Sequence, residues 1–146
     1  MEILLGLPEL DNLARVGTLK VEPRSEDEMR RLLALARSRL ADAGQKGVSA
    51  DGRFTSAYGA AHAAALAALR WHGYRSENRI TVFQCLSHTV KWLPERWRVL
   101  DAAHRKRNLI EYEGRLEVEE SAVAELMALT VELIADLKRM IEPARK

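Results

Sequence analysis

The chain has 146 residues, 47% of them hydrophobic and 30% charged, with a formal net charge of +2. That length suits one domain with its own core, and that composition is globular rather than disordered. Near-balanced charge does not advertise nucleic acid or a membrane, so either role has to come from a local patch.

Residues 1–23 are irregular in pattern and end in Pro23. They are expected to form an N-terminal arm with a short helix around Glu9 to Val16, ahead of a single helical domain over 24–146. The opening "MEILLGLPELDNL" lacks a basic stretch followed by a long apolar run, so no signal peptide is expected. The first strong helix signal is "SEDE". Ser25 stands as N-cap with Glu28 three residues on, the spacing of a capping box. Met29, Leu32, Leu33, Leu35, Ala36 and Leu40 then recur mostly at steps of three and four. "AGQKG" at 43–47 stops this helix. The next runs from about 49 to 72 and is rich in alanine, the best helix former. Tyr58, His62, Leu66 and Leu69 share one of its faces, and Gly73 is its stop.

A shorter helix is expected from about Asn78 to Trp92, with Ile80, Phe83 and Leu86 or Ser87 on one stripe. "RITVFQCL" also fits a strand, but its helical neighbours favour helix. Cys85, the lone cysteine, reads as buried filling. It excludes an internal disulfide and any zinc site built on two or more thiolates, and it points away from an oxidising compartment. Pro94 suits the first turn of a helix running to about Tyr112 and ended by Gly114. The last helix covers about Glu119 to Ile141, with Val123, Leu126, Met127, Thr130, Leu133, Ile134 and Leu137 as its apolar stripe and Pro143 as its stop. No stretch approaches the roughly 20 apolar residues that span a bilayer, so a cytoplasmic, non-membrane protein is expected. The fold class is all-α: an antiparallel bundle of four main helices plus one short helix.

Charge is unevenly placed. Lys91, Arg96, Arg98, Arg105, Lys106 and Arg107 face only Glu95 and Asp101 over the same stretch, with Trp92 and Trp97 among them. Cations mixed with aromatics suit phosphates and bases. A solvated face with the tryptophans in the core fits as well, as does a favourable match to a helix C-terminus. Glu117, Glu119 and Glu120 then open the last helix, where anions complement its dipole. His62, His72, His88 and His104 are scattered without metal-ligand spacing, so no metal and no cofactor is expected. No phosphate-cradling glycine loop and no nucleophile elbow occurs.

The densest cluster is "HRKRNLIEYEG", residues 104–114. Arg105, Asn108 and Tyr112 lie on one helical face, and Arg107 and Glu111 form an i, i+4 pair on another. Arg107 and Tyr112 diverge on a continuous helix and converge only if the helix ends between them or a second subunit supplies one side. A guanidinium holds phosphate charge bidentately. His104 can serve as a general base. A tyrosine hydroxyl, with a reference pKa of about 10, is a poor base at neutral pH.

"RKRNLIEYEG" at the end of the fourth helix resembles the HEPN superfamily (higher eukaryotes and prokaryotes nucleotide-binding domains). Its members are all-helical bundles marked by an arginine, a polar residue after it and a histidine a few residues on. The resemblance covers about residues 25–143. It puts Arg107 at the motif arginine, Asn108 at the polar residue and Tyr112 where the histidine is expected; His104 lies on the other side of the arginine. Many members are metal-independent ribonucleases that cut at a cleft between two subunits, and others partner a nucleotidyltransferase. The resemblance therefore implies a homodimer and two roles. One is a binding module, partnered by a nucleotidyltransferase or an antitoxin. The other is an endoribonuclease using Arg107 for transition-state charge, Asn108 for positioning and Tyr112 or His104 for proton transfer. Arg96, Arg98, Arg105 and Lys106 would then contact RNA or nucleotide.

Overall fold

The computed structural model describes residues 7–114 and 117–145, with side chains up to residue 142. In chain order the elements are α1 (Pro8–Arg15), β1 (Lys20–Val21), α2 (Glu26–Ala43), α3 (Ala50–Trp71), β2 (Tyr74–Arg75), α4 (Arg79–Gln84), α5 (Leu86–Thr89), α6 (Pro94–Glu113) and α7 (Glu120–Arg145). The protein is all-α apart from one short antiparallel pairing of β1 with β2, in which Lys20 faces Arg75 and Val21 faces Tyr74. Two-residue strands leave no period to read in a sequence, which is why this pair was not expected.

α3 is the helix the others assemble on, touching α2, α4, α6 and α7. Ala57, Ala60, Ala61, Ala64, Ala67, Ala68 and Leu69 along it are fully buried. Side chains this small let helices on several sides approach its axis while alanine keeps the backbone helical. Ser49 caps its start by accepting from the Gly52 amide at 3.2 Å. It stops at Gly73, whose φ of 87° is a left-handed conformation open to glycine at little cost. The larger core side chains come from the surrounding helices. Val123, Leu126, Leu133 and Leu137 of α7 are all buried, and each contributes roughly 1.5–3 kcal/mol. Thr130 on the same stripe satisfies its buried hydroxyl by donating to the Leu126 carbonyl at 2.8 Å.

Several boundaries differ from expectation. α2 does start behind Ser25, which accepts from the Glu28 amide at 3.1 Å, but the Glu28 carboxylate turns away to Arg70 and Arg75. Leu35 is 42% exposed because it lies off the stripe of Met29, Ala36 and Ala43. The helix expected over 78–92 begins as foreseen, with Asn78 capping the Thr81 amide at 3.1 Å, but it breaks at Cys85 and ends at Thr89. There the Trp92 amide donates back to the Leu86 carbonyl at 3.1 Å, Lys91 takes a φ of 62°, and Leu93 is extended as a residue before proline tends to be. This turn delivers the Trp92 indole N–H to Asp136 of α7 at 2.7 Å. Pro143 does not stop α7, which continues to Arg145. A proline in a final turn removes one hydrogen bond and leaves the residues after it free to stay helical.

The segment before α2 is built onto the body. Leu10 and Leu19 are buried, and the Tyr74 hydroxyl donates to Asp11. Arg70, 1% exposed, anchors this end. Its Nε donates to Glu28 at 2.7 Å, and its two terminal nitrogens donate to the carbonyls of Pro23 at 2.7 Å and Glu22 at 2.8 Å. Arg75 adds pairs to Glu22 at 3.1 Å and to Glu28.

Candidate functional site

The polar residues of "HRKRN" meet side chains from two other helices. His104, half-buried on α6, lies with its Nδ1 2.7 Å from the Tyr58 hydroxyl of α3. One turn on, the Asn108 amide nitrogen donates to His104 Nε2 at 3.3 Å. This pattern is satisfied by a neutral imidazole with its proton on Nδ1, donated to Tyr58. Burial holds His104 below its ordinary value, aided by the charges of Arg107 and Arg79, while Asp101 works the other way.

Arg107 is the charged centre of the group. Its side chain is 12% exposed and pairs with Glu111 at 3.0 Å, so it is more enclosed than a surface i, i+4 pair. Its guanidinium lies over the Tyr58 ring, 4.9 Å from the centroid, and its Nε is buried with no hydrogen-bond partner. Burial opposes the charge, but Tyr58 and Glu111 more than offset it, so the guanidinium stays protonated. Arg79 of α4 lies over the same ring at 5.6 Å. No carboxylate pairs with Arg79 among the described residues.

His62, one turn along α3 from Tyr58, completes the cluster edge-on to Phe83. Burial, then the charges of Arg79, Arg107 and His104, push it down to about 4. Two cations and two imidazoles that stay neutral at pH 7 thus gather around the buried Tyr58 ring, where α3, α4 and α6 meet. Their like charges repel one another, and a nearby anion would relieve that repulsion.

The other expected residues lie elsewhere. α6 runs unbroken through Arg107 and Tyr112, so the two diverge within one chain, and Tyr112 is 74% exposed. Arg105 is exposed beside Asp101 at 4.0 Å. Arg96 stacks on Trp92 at 4.2 Å and pairs with Glu132 of α7. Arg98 lies 5.4 Å from the Trp97 ring and Lys106 5.7 Å from the Phe54 ring. These cations point to different neighbours around α6 rather than forming one surface. Trp92 is 2% exposed, and its indole N–H is taken by Asp136, so it offers no free ring for a base. Glu120 is drawn to Arg53 of α3 at 2.5 Å. Among the described residues, no three histidine, cysteine or carboxylate side chains gather as a metal site, and no helix is long and apolar enough to cross a membrane. Burial pushes the Cys85 thiol up to about 11, which makes it unreactive.

Reading the sequence for this site missed Arg79 and the role of Tyr58. The i, i+4 pairing of Tyr58 with His62 was visible, but nothing near Arg79 marked it. Compared with known proteins, the chain matches no family model, and no curated protein matches it.

Proposed function

We propose that this chain is a HEPN-like binding module whose polar cluster, where α3, α4 and α6 meet, takes the phosphate of an RNA or nucleotide. In this reading its four long helices form the antiparallel bundle of that superfamily. It acts as a homodimer and as the helical partner of a nucleotidyltransferase or of an antitoxin-type protein. One observation carries the reading: Arg107 holds a mostly buried, permanently charged guanidinium beside Asn108 and a neutral His104, with one nitrogen left without an acceptor. Such a group is suited to hold an anion. Binding of single-stranded RNA, followed by fluorescence anisotropy at several salt concentrations, tests it. Arg107→Gln should weaken binding about tenfold, the worth of one charge-assisted contact. Equal binding by both proteins would sink the reading. Co-purification from the native host tests the partner role, and light scattering tests the dimer.

A second reading, metal-independent endoribonuclease, is favoured by one detail. The imidazole beside Arg107 is that of His104, held neutral and oriented by Tyr58, and its Nε2 lone pair, which here accepts from Asn108, becomes the basic site of a general base once that bond is released. RNA cleavage in EDTA that disappears in both Arg107→Gln and His104→Gln would support it. Cleavage that persists in either variant would remove it.

A further inference from the structure

Away from the Tyr58 cluster, a groove runs between α2 and α7. The two helices are antiparallel. At the end of α2, a Cβ added to Gly44 would lie 3.5 Å from the Met127 methyl in the first half of α7. Met29 and Leu33, near the start of α2, share a cavity of about 230 Å³ with Leu137 and Ile141, near the end of α7. Met29, Leu137 and Ile141 belong to the buried core, so close packing holds this apolar lining in place.

Charge is unevenly placed along the groove. Arg37 of α2 and Lys138 of α7 also line it, and neither has a partner among the described residues. Side chains on a helix lean toward its N-terminus. Arg37 therefore leans toward Leu33 and Lys138 toward Ile134, which brings the two cations over one stretch of the groove from opposite walls. Arg30, paired with Asp27 at 2.6 Å, and Glu142 line the cavity as well. They lie toward the end marked by Met29 and Ile141, so that end is close to neutral and the Arg37 end is cationic.

The same residues bear on the size of the occupant. All four charged lining residues are exposed, whereas no apolar lining residue is. A protein interface has an apolar centre spread over roughly 800 Å² a side, and this groove is a slot with a polar rim. An unbranched alkyl chain needs no more than a slot. A methylene is close in size to a water, which takes about 30 Å³ in the liquid, so the cavity holds roughly eight carbons.

We infer that this groove binds a short straight-chain carboxylate, with its carboxylate between Arg37 and Lys138 and its alkyl chain laid over Leu33, Leu137, Met29 and Ile141. Titration of the isotope-labelled full chain, followed by the NMR shifts of its backbone amides, tests this. The probes are butanoate, hexanoate, octanoate, decanoate, octanol and octylammonium. The proteins are the wild type, Arg37→Gln, Lys138→Gln and the groove-filling Leu33→Phe, each checked for folding by circular dichroism.

Octanoate should shift amides of residues 29–37 and 134–142. Affinity should rise about fourfold per methylene up to octanoate and then level off. Octanol should bind about tenfold more weakly than octanoate, and octylammonium more weakly still. Arg37→Gln and Lys138→Gln should each remove most of the preference for octanoate over octanol, and Leu33→Phe should weaken both ligands. If Leu33→Phe does not fold, the two charge variants decide alone. Equal binding of octanoate and octanol, a preference that survives in both charge variants, or shifts centred on other helices would overturn the inference. So would absence of octanoate binding by the wild type. In that case, a mass by light scattering that falls in the Arg37→Gln variant assigns the groove to a second copy of the chain, and loss of a co-purified protein in that variant assigns it to a protein partner.

Discussion

Two arginine pairs in this protein are built from similar parts and end in opposite states. At one end of α3, Arg70 and Arg75 share two carboxylates, those of Glu22 and Glu28, and Arg70 adds the backbone carbonyls of Glu22, Pro23 and Tyr74. Nearer its start, Arg79 and Arg107 share the Tyr58 ring and, among the described residues, have Glu111 alone as an acid. The first pair is saturated. Its acceptors come from the segment before α2, from α2 itself and from β2, so it ties the N-terminal region to the body. The second pair has unused donors and neutral imidazoles beside it. Burial with complete pairing fits a structural charge, whereas a buried donor without a partner calls for an acceptor supplied by water, an ion or a ligand.

The largest effect that would test this contrast is at Arg70. Arg70→Ala should lower stability by roughly 3–5 kcal/mol, the cost of breaking an enclosed ionic network from one side. Chemical denaturation measures it, and a loss below about 1 kcal/mol would undo the distinction between the pairs. The next effect concerns acid. His62 is held at about 4 against an ordinary 6.5, so below pH 6.5 the unfolded chain takes up a proton that the folded chain refuses. Stability contributed by neutral His62 is complete above pH 6.5 and falls between there and about pH 4, by about 1.4 kcal/mol per pH unit at most. His62→Gln should flatten thermal denaturation across that window. Glu28 moves in a different range. Burial raises it, but hydrogen bonds from Arg70 and Arg75 win and leave it below its ordinary 4.5. Its contribution is intact above 4.5 and is lost as pH falls further.

Smaller effects sharpen the picture at the other pair. Arg107→Gln should cost about 1 kcal/mol of stability or less, since it removes one ion pair and also relieves repulsion with Arg79. Its main effect should be the tenfold loss of RNA binding given above. If it destabilises as much as Arg70→Ala does, Arg107 belongs with the structural charges. The smallest effect is expected for Tyr112→Ala, at an exposed position, within about 0.5 kcal/mol of wild type by urea denaturation.

Much of the helical layout was legible because it rests on local rules. Ser25 and Asn78 each accept the capping bond expected of their type, and Pro94 and Gly114 bound α6 as their backbone preferences dictate. The stripe of α7 was read almost residue by residue, because a long helix with one buried face repeats its period many times. The misses lie where a distant partner outweighed the local signal. Glu28 left its capping box for two distant arginines, one at the end of α3 and one in β2. The helix after Asn78 ended early, where the chain turns to bring Trp92 to α7. At the candidate site, Asn108 and His104 were both singled out because they lie in one polar stretch of α6, but the sequence reading grouped Asn108 with Arg105 and Tyr112, and the structure shows it bonded to His104 one turn away. Tyr58 and Arg79 were not, since they come from α3 and α4 and no spacing in the chain relates them.

By itself, then, the sequence determined the all-helical class, the starts of most helices and the polar character of one end of α6. Capping, helix period and side-chain chemistry all act within a few residues along the chain. Only the tertiary structure decided which arginines are satisfied. Whether Arg70 meets two carboxylates and Arg79 meets none among the described residues depends on which helices lie side by side, and packing sets that over distances that no local pattern encodes.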